Sequence, residues 1–572
     1  MSKVWELLGR GDARSSNETP PPAPPDDKQP DVIEGVLDTY RVPENGNPTS
    51  SAEVFITGRG GIARYLVRPP SLDDQERALL ERLKASLMDS IPLEEGGEPK
   101  EVLDHYLWKG VEETGAVMSR DLHDRLLYYL VRDFVGFWEV DTLVNDDKLE
   151  EISVTRWDRP VRVMHRNFGE FMFMETNISY PSEDRLQAFV RRLAQLGGTT
   201  VSLAHPSLEV TLHGASDRRV TATLGDEISR PGTTFAIRKQ RSRPITLVQL
   251  ASTERTGWPR PAGPAEAGDG CGYDEVHSHK TLSVLMAAYF WLLLERTANV
   301  LIAGETNSGK TTLMNAVLAL ANPNCKVVTA EDVLEISLPD NLHWQRLKTR
   351  PLKGGPTPTS GKYGYELPDL LKLALRFSPT ILSLGEMRGE ESETLAAAIT
   401  LGFSTMTTIH AEDAERCIQR LTTPPMKFQA GHIRDITAIA TVRKVMLPDA
   451  SVARRVVSVD ELKPEGSASY KLVNVFRYQH KTDSFFPTTP AEVIDRSYRL
   501  GEIAAGIGWT PGEVQRNLAM KVERLGGMVD QERLDPESLS RMVSEFAAEE
   551  RGEDGDERGP GRPLTRTWSR GV

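Results

Sequence analysis

The sequence predicts an α/β protein of two domains flanked by tails that build no core, and three observations predict it. Its 572 residues exceed what one hydrophobic core ordinarily organises. Residues 71–251 pass from helical spacing to a run of short strands, the pattern of a mixed domain of roughly 180 residues. Residues 277–545 open with a helix over 282–295 that leads into a short apolar strand, a glycine-containing turn and a second helix, again a mixture of helix and strand.

Taken in order, residues 1–70 read as a disordered segment. The tract Thr19-Pro20-Pro21-Pro22-Ala23-Pro24-Pro25-Asp26-Asp27 is polyproline-like and charged and cannot bury a core. Trp5, Leu7 and Leu8 belong to the same floppy terminus. From residue 71 the apolar spacing is helical, at Leu79, Leu80 and Leu83 and again at Leu122, Leu126, Leu127 and Leu130. Strands follow over 151–154 and 161–164. An amphipathic helix then starts at Pro181-Ser182, carries Leu186, Phe189, Val190, Leu193 and Leu196 on one face, and stops at Gly197-Gly198. Further strands are expected over 207–212, 219–223 and 233–238. Residues 252–276, with Trp258-Pro259-Arg260-Pro261-Ala262-Gly263-Pro264, read as an interdomain linker. The second domain is expected over 277–545. A charged tail, 546–572, carries acids from Glu549 to Glu557 followed by spaced arginines and reads as disordered.

The chemistry concentrates in the second domain. Between a strand over 299–303 and a helix over 313–320 lies Gly304-Glu305-Thr306-Asn307-Ser308-Gly309-Lys310-Thr311-Thr312, the phosphate-binding loop pattern G-x-x-x-x-G-K-T. Nucleotide phosphates need several backbone N–H groups aimed at one spot, which a glycine turn at a helix N-terminus supplies. Lys310 adds a charge for the phosphates, and the Thr311 hydroxyl is placed to reach Mg²⁺. Downstream, the β-branched run 326–330 delivers Glu331 and Asp332 to a strand end, where ligands of parallel sheets collect. The strand Ile381-Leu382-Ser383-Leu384 ends in Gly385-Glu386. Gly385 takes the place where an aspartate is usual, so Glu386 is the acid left to organise metal, attacking water, or both. A third such run, Thr407-Thr408-Ile409, ends in His410.

Composition narrows the partners. The formal charge of −13 argues against a dedicated nucleic-acid binder. Three cysteines, Cys271, Cys325 and Cys417, none in C-x-x-C spacing, support neither a disulfide framework nor zinc. No apolar stretch follows Met1-Ser2-Lys3, and the longest apolar run, 282–294, is short of the ~20 residues of a spanning helix. The expectation is a soluble, intracellular protein that meets a membrane only through a partner.

The order of phosphate loop, acidic box, Leu375-Arg376-x-x-Pro379 leading to Gly385-Glu386-Met387-Arg388, and histidine box resembles the type II/type IV secretion and pilus ATPase superfamily. Gly389 and Glu391 make the end of that signature more similar to its archaeal and conjugation-type branches, whereas Thr380 and Ser383 depart from it. Upstream, Tyr128 to Phe137, Asp141-x-Leu143-x-x-Asp146 and Leu149-Glu150-Glu151-Ile152 resemble the N-terminal domain of archaeal members, such as the archaellum and archaeal pilus motors. Gly232 to Lys239 and Arg218-Arg219-Val220 match the end of that domain. Arg454-Arg455-Val456-Val457, Glu461, Phe476 and Tyr478 continue the likeness, which spans about 75–545.

The resemblance implies an N-terminal α/β domain and a C-terminal RecA-like P-loop ATPase domain, assembled as a homo-hexamer with ATP and Mg²⁺ between the two. It assigns the loop residues to phosphates, Thr311 and Glu386 to the metal, and Glu386 with Glu331 to the attacking water. His410 becomes a γ-phosphate sensor, and Arg219 and Arg238 reach the phosphates from the N-terminal domain. It further implies a cytoplasmic protein held at the inner face of the cell membrane by a polytopic platform protein. A zinc-binding four-cysteine module found in some bacterial relatives is absent from the sequence. Two alternatives stay open, a conjugation-type DNA-transfer ATPase and a non-motor nucleotide-binding scaffold.

Overall fold

The structure, a computed structural model, describes residues 35–551 apart from 44–48, 60–61, 91–98, 115–117, 169–170, 215–216, 231, 241–243, 253–279, 297, 351–363, 448–451 and 467–468. It forms two compact units, one up to Ser242 and one from Arg243.

Unit 1 begins with β1 (Val36–Val42), β2 (Ala52–Arg59) and β3 (Ile62–Arg68). Helices α1 (Asp74–Ser90), α2 (Pro99–Thr114), α3 (Arg120–Leu130) and α4 (Asp141–Asn145) follow. Then come β4 (Leu149–Val154), β5 (Arg162–His165), β6 (Met174–Thr176), α5 (Glu183–Leu196), β7 (Ser207–Leu212), β8 (Arg218–Thr223) and β9 (Thr234–Lys239). The nine described strands make one sheet, ordered β1-β2-β3-β6-β5-β4-β9-β8-β7. Neighbours are antiparallel except β3 and β6. Ser182 caps α5 by accepting from Arg185 N, and the helix buries Leu186, Phe189, Val190 and Leu193. Val220, Ala222, Phe235 and Ile237 of β8 and β9 belong to the same core. A second core, built from Leu79, Leu83, Leu103, Leu107, Leu126 and Leu130, joins α1, α2 and α3.

The expectation of disorder over 1–70 is corrected by β1–β3. Val54 and Ile56, then Ala63, Tyr65 and Val67, alternate into the core, as a half-buried strand requires. Tyr40 and Tyr65 donate to Asp146 Oδ2 at 2.8 and 2.6 Å, tying this edge to the loop before β4. The Pro-rich tract and Trp5 lie outside the described residues.

Unit 2 starts with α6 (Leu247–Leu250) and β10 (Ala251–Ser252), resuming at β11 (Leu282–Ser283), α7 (Val284–Leu294), β12 (Asn299–Gly304) and α8 (Lys310–Leu318). Next are β13 (Lys326–Glu331), β14 (His343–Lys348), α9 (Leu367–Arg376), β15 (Ile381–Met387), α10 (Glu391–Thr400), β16 (Ser404–His410), α11 (Ala414–Thr422) and α12 (Ala430–Arg434). The chain closes with β17 (Ala438–Met446), β18 (Val452–Glu465), β19 (Ser469–Gln479), β20 (Ser484–Phe486), α13 (Pro490–Arg496), α14 (Tyr498–Ile507), α15 (Pro511–Asp530) and α16 (Pro536–Arg551). The main sheet runs β14-β13-β15-β16-β12-β17-β18-β19-β20. It is parallel from β14 through β17 and antiparallel beyond.

Alternation along these strands separates two cores. Val300, Ile302, Ala440 and Val442 face α7 and α8, while Leu301, Ala303, Leu382 and Leu384 face α9, α10 and α11. Both faces are covered, which is why the strands read as continuous apolar runs. The long apolar run proves to be α7, buried along its whole length, and among the described residues no helix is long and apolar enough to cross a membrane.

Two expected boundaries move. Residues 253–279, most of the expected linker 252–276, lie outside the described residues, but β10 and β11 on either side of them pair in parallel within unit 2. The stretch therefore connects two places in one unit, and the division between units falls near Ser242 instead. The C-terminal helix α16 runs to Arg551, because Phe546 and Ala547 are buried, so only 552–572 of the charged tail lie outside the described residues.

Candidate functional site

The phosphate-loop pattern occupies the turn between β12 and α8. A Cβ on Gly304 would collide with the Val442 carbonyl and the Ser308 hydroxyl. Gly309, the N-cap of α8, has φ +100°, in the left-handed region that glycine enters without penalty. Asn307 is left-handed too, at φ 60°. The turn thus leads from β12 into the start of α8, the positive end of the helix dipole. Lys310 opens α8, is 9% exposed, and folds back so that Nζ donates to Glu305 O at 2.7 Å. Thr311 and Thr312 are half-buried in the first turn, Glu305 and Thr306 are exposed, and the buried Ser308 hydroxyl has no hydrogen-bond partner among the described residues.

Three neighbouring strands bring the other candidates to the same sheet edge. β16 lies beside β12, and its last residue, His410, is the register partner of Gly304. β15 lies beside β16, with an irregular register between Leu384 and Met387 that contains Gly385 and Glu386. Such a bulge re-aims a side chain at a strand end. Thr408 Oγ1 donates to Gly385 O at 2.7 Å and pins the bulge. Glu386 is half-buried and ion-paired with the exposed Arg388, whose Nη2 and Nε lie 2.5 and 3.0 Å from Oε2.

β13 lies on the far side of β15 and ends in Glu331, only 1% exposed. Its Oε1 accepts from Glu335 N at 2.7 Å and Ile336 N at 2.8 Å. Its Oε2 makes no hydrogen bond, although Arg346 Nε stands 3.6 Å away. Burial pushes the Glu331 carboxyl up to about 7, against the pull of the two amides and the guanidinium. A Cβ on Gly385 would sit 3.3 Å from Glu331 Cγ, so the bare glycine is what lets Glu331 pack against the strand bearing Glu386. The two departures from the expected signature have structural work. Thr380 Oγ1 accepts from Lys326 N at 3.1 Å at the start of β13, and the buried Ser383 hydroxyl lies 3.5 Å from Met314 Sδ of α8.

Arg219 and Arg238 lie in unit 1. They are directly opposed on β8 and β9, on the face turned away from the core. Arg219 Nη2 is 2.9 Å from Glu209 Oε1, and Glu151 is the partner of Arg238 on β4.

One residue at the loop escaped the sequence reading. Arg454 of β18 donates from Nε to Asn307 O at 3.2 Å. The signal was the pair Arg454-Arg455, but nothing local ties it to a loop about 150 residues earlier in the chain.

A family model described as type II/IV secretion system protein matches residues 278–461, which hold all four strand ends. An uncharacterized protein of Methanocaldococcus jannaschii is 30% identical over 431 residues, covering 74% of this chain and 70% of its own length. A second uncharacterized protein of that organism is 35% identical over 247 residues, covering 43% of this chain and 87% of its own. The type IV secretion system protein PtlH of Bordetella pertussis is 40% identical over 125 residues, 22% of this chain and 35% of PtlH. The chain belongs to the type II/IV secretion system protein family.

Proposed function

We propose that this protein is an ATP-hydrolysing motor of the archaeal branch of its superfamily, acting as a homo-hexameric ring. It would power a type IV pilus-like filament, an archaellum or a type II/IV secretion machine. The observation that carries the reading is the convergence of phosphate loop, His410, Glu386 and Glu331 on the ends of four neighbouring parallel strands. A pure binding scaffold needs the loop but not two acids beside it.

In this reading the loop amides, Gly309 and Lys310 hold the phosphates. The unpartnered Ser308 hydroxyl fits a site built to meet a polar ligand. Thr311 and Glu386 would hold Mg²⁺, which when bound neutralises charge on the phosphates. Glu386 and Glu331 orient the attacking water, and Glu331, with a carboxyl near 7, is suited to accept its proton at neutral pH. His410, opposite Gly304 on the neighbouring strand, reads the γ-phosphate. Arg219 and Arg238 supply charge from unit 1, so that hydrolysis is converted into domain motion. The motor would lie on the cytoplasmic side and act on a polytopic membrane platform protein.

Steady-state phosphate release across a protein concentration series tests this. Specific activity that climbs with concentration is expected of a site completed between subunits. Bound ATP without turnover at any concentration contradicts the motor, and strong stimulation by DNA moves the reading to the DNA-transfer branch.

A further inference from the structure

We propose that Arg454 is a nucleotide-binding residue that acts within its own subunit, bringing a guanidinium to the phosphates from β18. The proposal rests on the reading of the loop as a nucleotide site.

The placement follows from strand register. β17 runs parallel to β12 with Val442 opposite Gly304, and β18 returns antiparallel with Val456 opposite Val442 and Arg454 opposite Lys444. Val442 and Val456 are buried in the core that α8 shares. Residues two apart on a strand share a face, so Arg454 and Lys444 emerge on the side of the sheet where α8 begins. The Arg454 side chain then lies along the loop. Its Nε donates to Asn307 O at 3.2 Å, and its Cδ is 3.3 Å from where a Gly309 Cβ would be.

Its neighbour holds it there. Arg455 is 3% exposed and pairs with Asp483 through Nε at 3.0 Å and Nη2 at 3.3 Å. Tyr478 OH, at 2.8 Å, and Lys280 Nζ, at 3.1 Å, meet the same carboxylate. Arg455 Nη1 also donates to the Arg454 carbonyl at 2.9 Å, so the backbone beneath Arg454 is tied through Arg455 to the turn between β19 and β20.

The electrostatics give the reason for an arginine. A helix N-terminus carries partial positive charge and disfavours cations, yet Lys310 and Arg454 both sit at the start of α8, with Lys444 beside Arg454. A bond from Nε to the loop carbonyl also fixes the plane of the guanidinium, whose rigid fork of donors suits phosphate oxygens.

The test is equilibrium titration of the full chain with ADP, and separately ATP, in Mg²⁺ buffer. The variants are Arg454→Ala, Arg454→Gln, Arg454→Lys and, as reference, Lys310→Ala, each checked by thermal melting. Gln keeps a donor for the Asn307 carbonyl but no charge, whereas Lys keeps charge. The expected result is about tenfold or weaker binding for Ala and Gln with most of the affinity kept by Lys, all three melting near wild type. If Gln binds as well as Lys, or all three bind like wild type while Lys310→Ala does not, Arg454 only props the loop and the proposal is overturned. If Lys310→Ala also binds like wild type, the nucleotide reading of the loop falls and takes the proposal with it.

Discussion

Two polar clusters of this molecule invite comparison, the strand-end cluster of unit 2 and the buried cluster around Asp146 in unit 1. In unit 1 the groups satisfy one another. Asp146 accepts from Tyr40 and Tyr65 through Oδ2 and from Lys148 N through Oδ1, at 2.8, 2.6 and 2.9 Å. Lys239 Nζ donates to the carbonyls of Leu143 and Asp146, and His165 Nε2 lies 3.2 Å from Tyr40 OH. In unit 2 the groups converge without closing on one another. Ser308 Oγ stays unpartnered, Glu331 Oε2 has no hydrogen bond beside the Arg346 ion pair, and the turn is left-handed at Asn307 and Gly309. Buried polar groups that complete their own hydrogen bonds hold a fold together, whereas groups that converge unsatisfied are waiting for a ligand.

The comparison breaks if mutation fails to separate the two. Lys310→Ala is expected to weaken nucleotide binding by about 100-fold with little change in melting temperature, as titration and a thermal scan of one sample will report. Asp146→Ala should do the reverse. It removes the acceptor of the Tyr65 hydroxyl and the Lys148 amide, leaves Tyr40 with His165 alone, and should cost roughly 3 kcal/mol in urea unfolding, with nucleotide affinity intact.

Stability against pH sharpens the contrast, because the two clusters slope in opposite directions. Glu331 is raised from 4.5 to about 7, so the folded state holds the extra proton between those values and stability falls as pH rises through that window. Lys239 is lowered by burial from 10.5 to about 7, so the unfolded state holds the extra proton above 7 and stability rises with pH up to the unfolded value. Glu331→Gln should flatten the first slope and Lys239→Met the second, in denaturant midpoints measured from pH 5 to 10. The smallest effect belongs to the exposed Glu386–Arg388 pair. Arg388→Gln should change stability by less than about 0.5 kcal/mol, which a urea titration will resolve from zero only barely.

Much of unit 2 was legible because its information is local. The glycines, Lys310 and Thr311 lie within one turn, and Glu331, Glu386 and His410 each follow a short β-branched or apolar run. Residues 52–68 were misread although Val54, Ile56, Ala63, Tyr65 and Val67 alternate. The Pro-rich composition before them was extended over strands whose partner across the sheet, β6, lies more than 100 residues later. The unit boundary was misplaced because the two-residue strand β10 declares itself only by pairing with β11 across 253–279. Arg454 was invisible as a site residue for the same reason, since the register of β17 with β18 is what carries it to the loop. Local motifs announce a site, and long-range pairing supplies the residues that complete it.

The most direct test of the central claim is ATP binding and ATP turnover measured side by side on wild type and Glu386→Gln. The account predicts retained binding and at least a ~100-fold loss of turnover, because Gln keeps an oxygen toward the metal, with Lys310 and Thr311 intact, but loses the charge that polarises the water. Turnover close to wild type in Glu386→Gln, or loss of binding and turnover together, would contradict it.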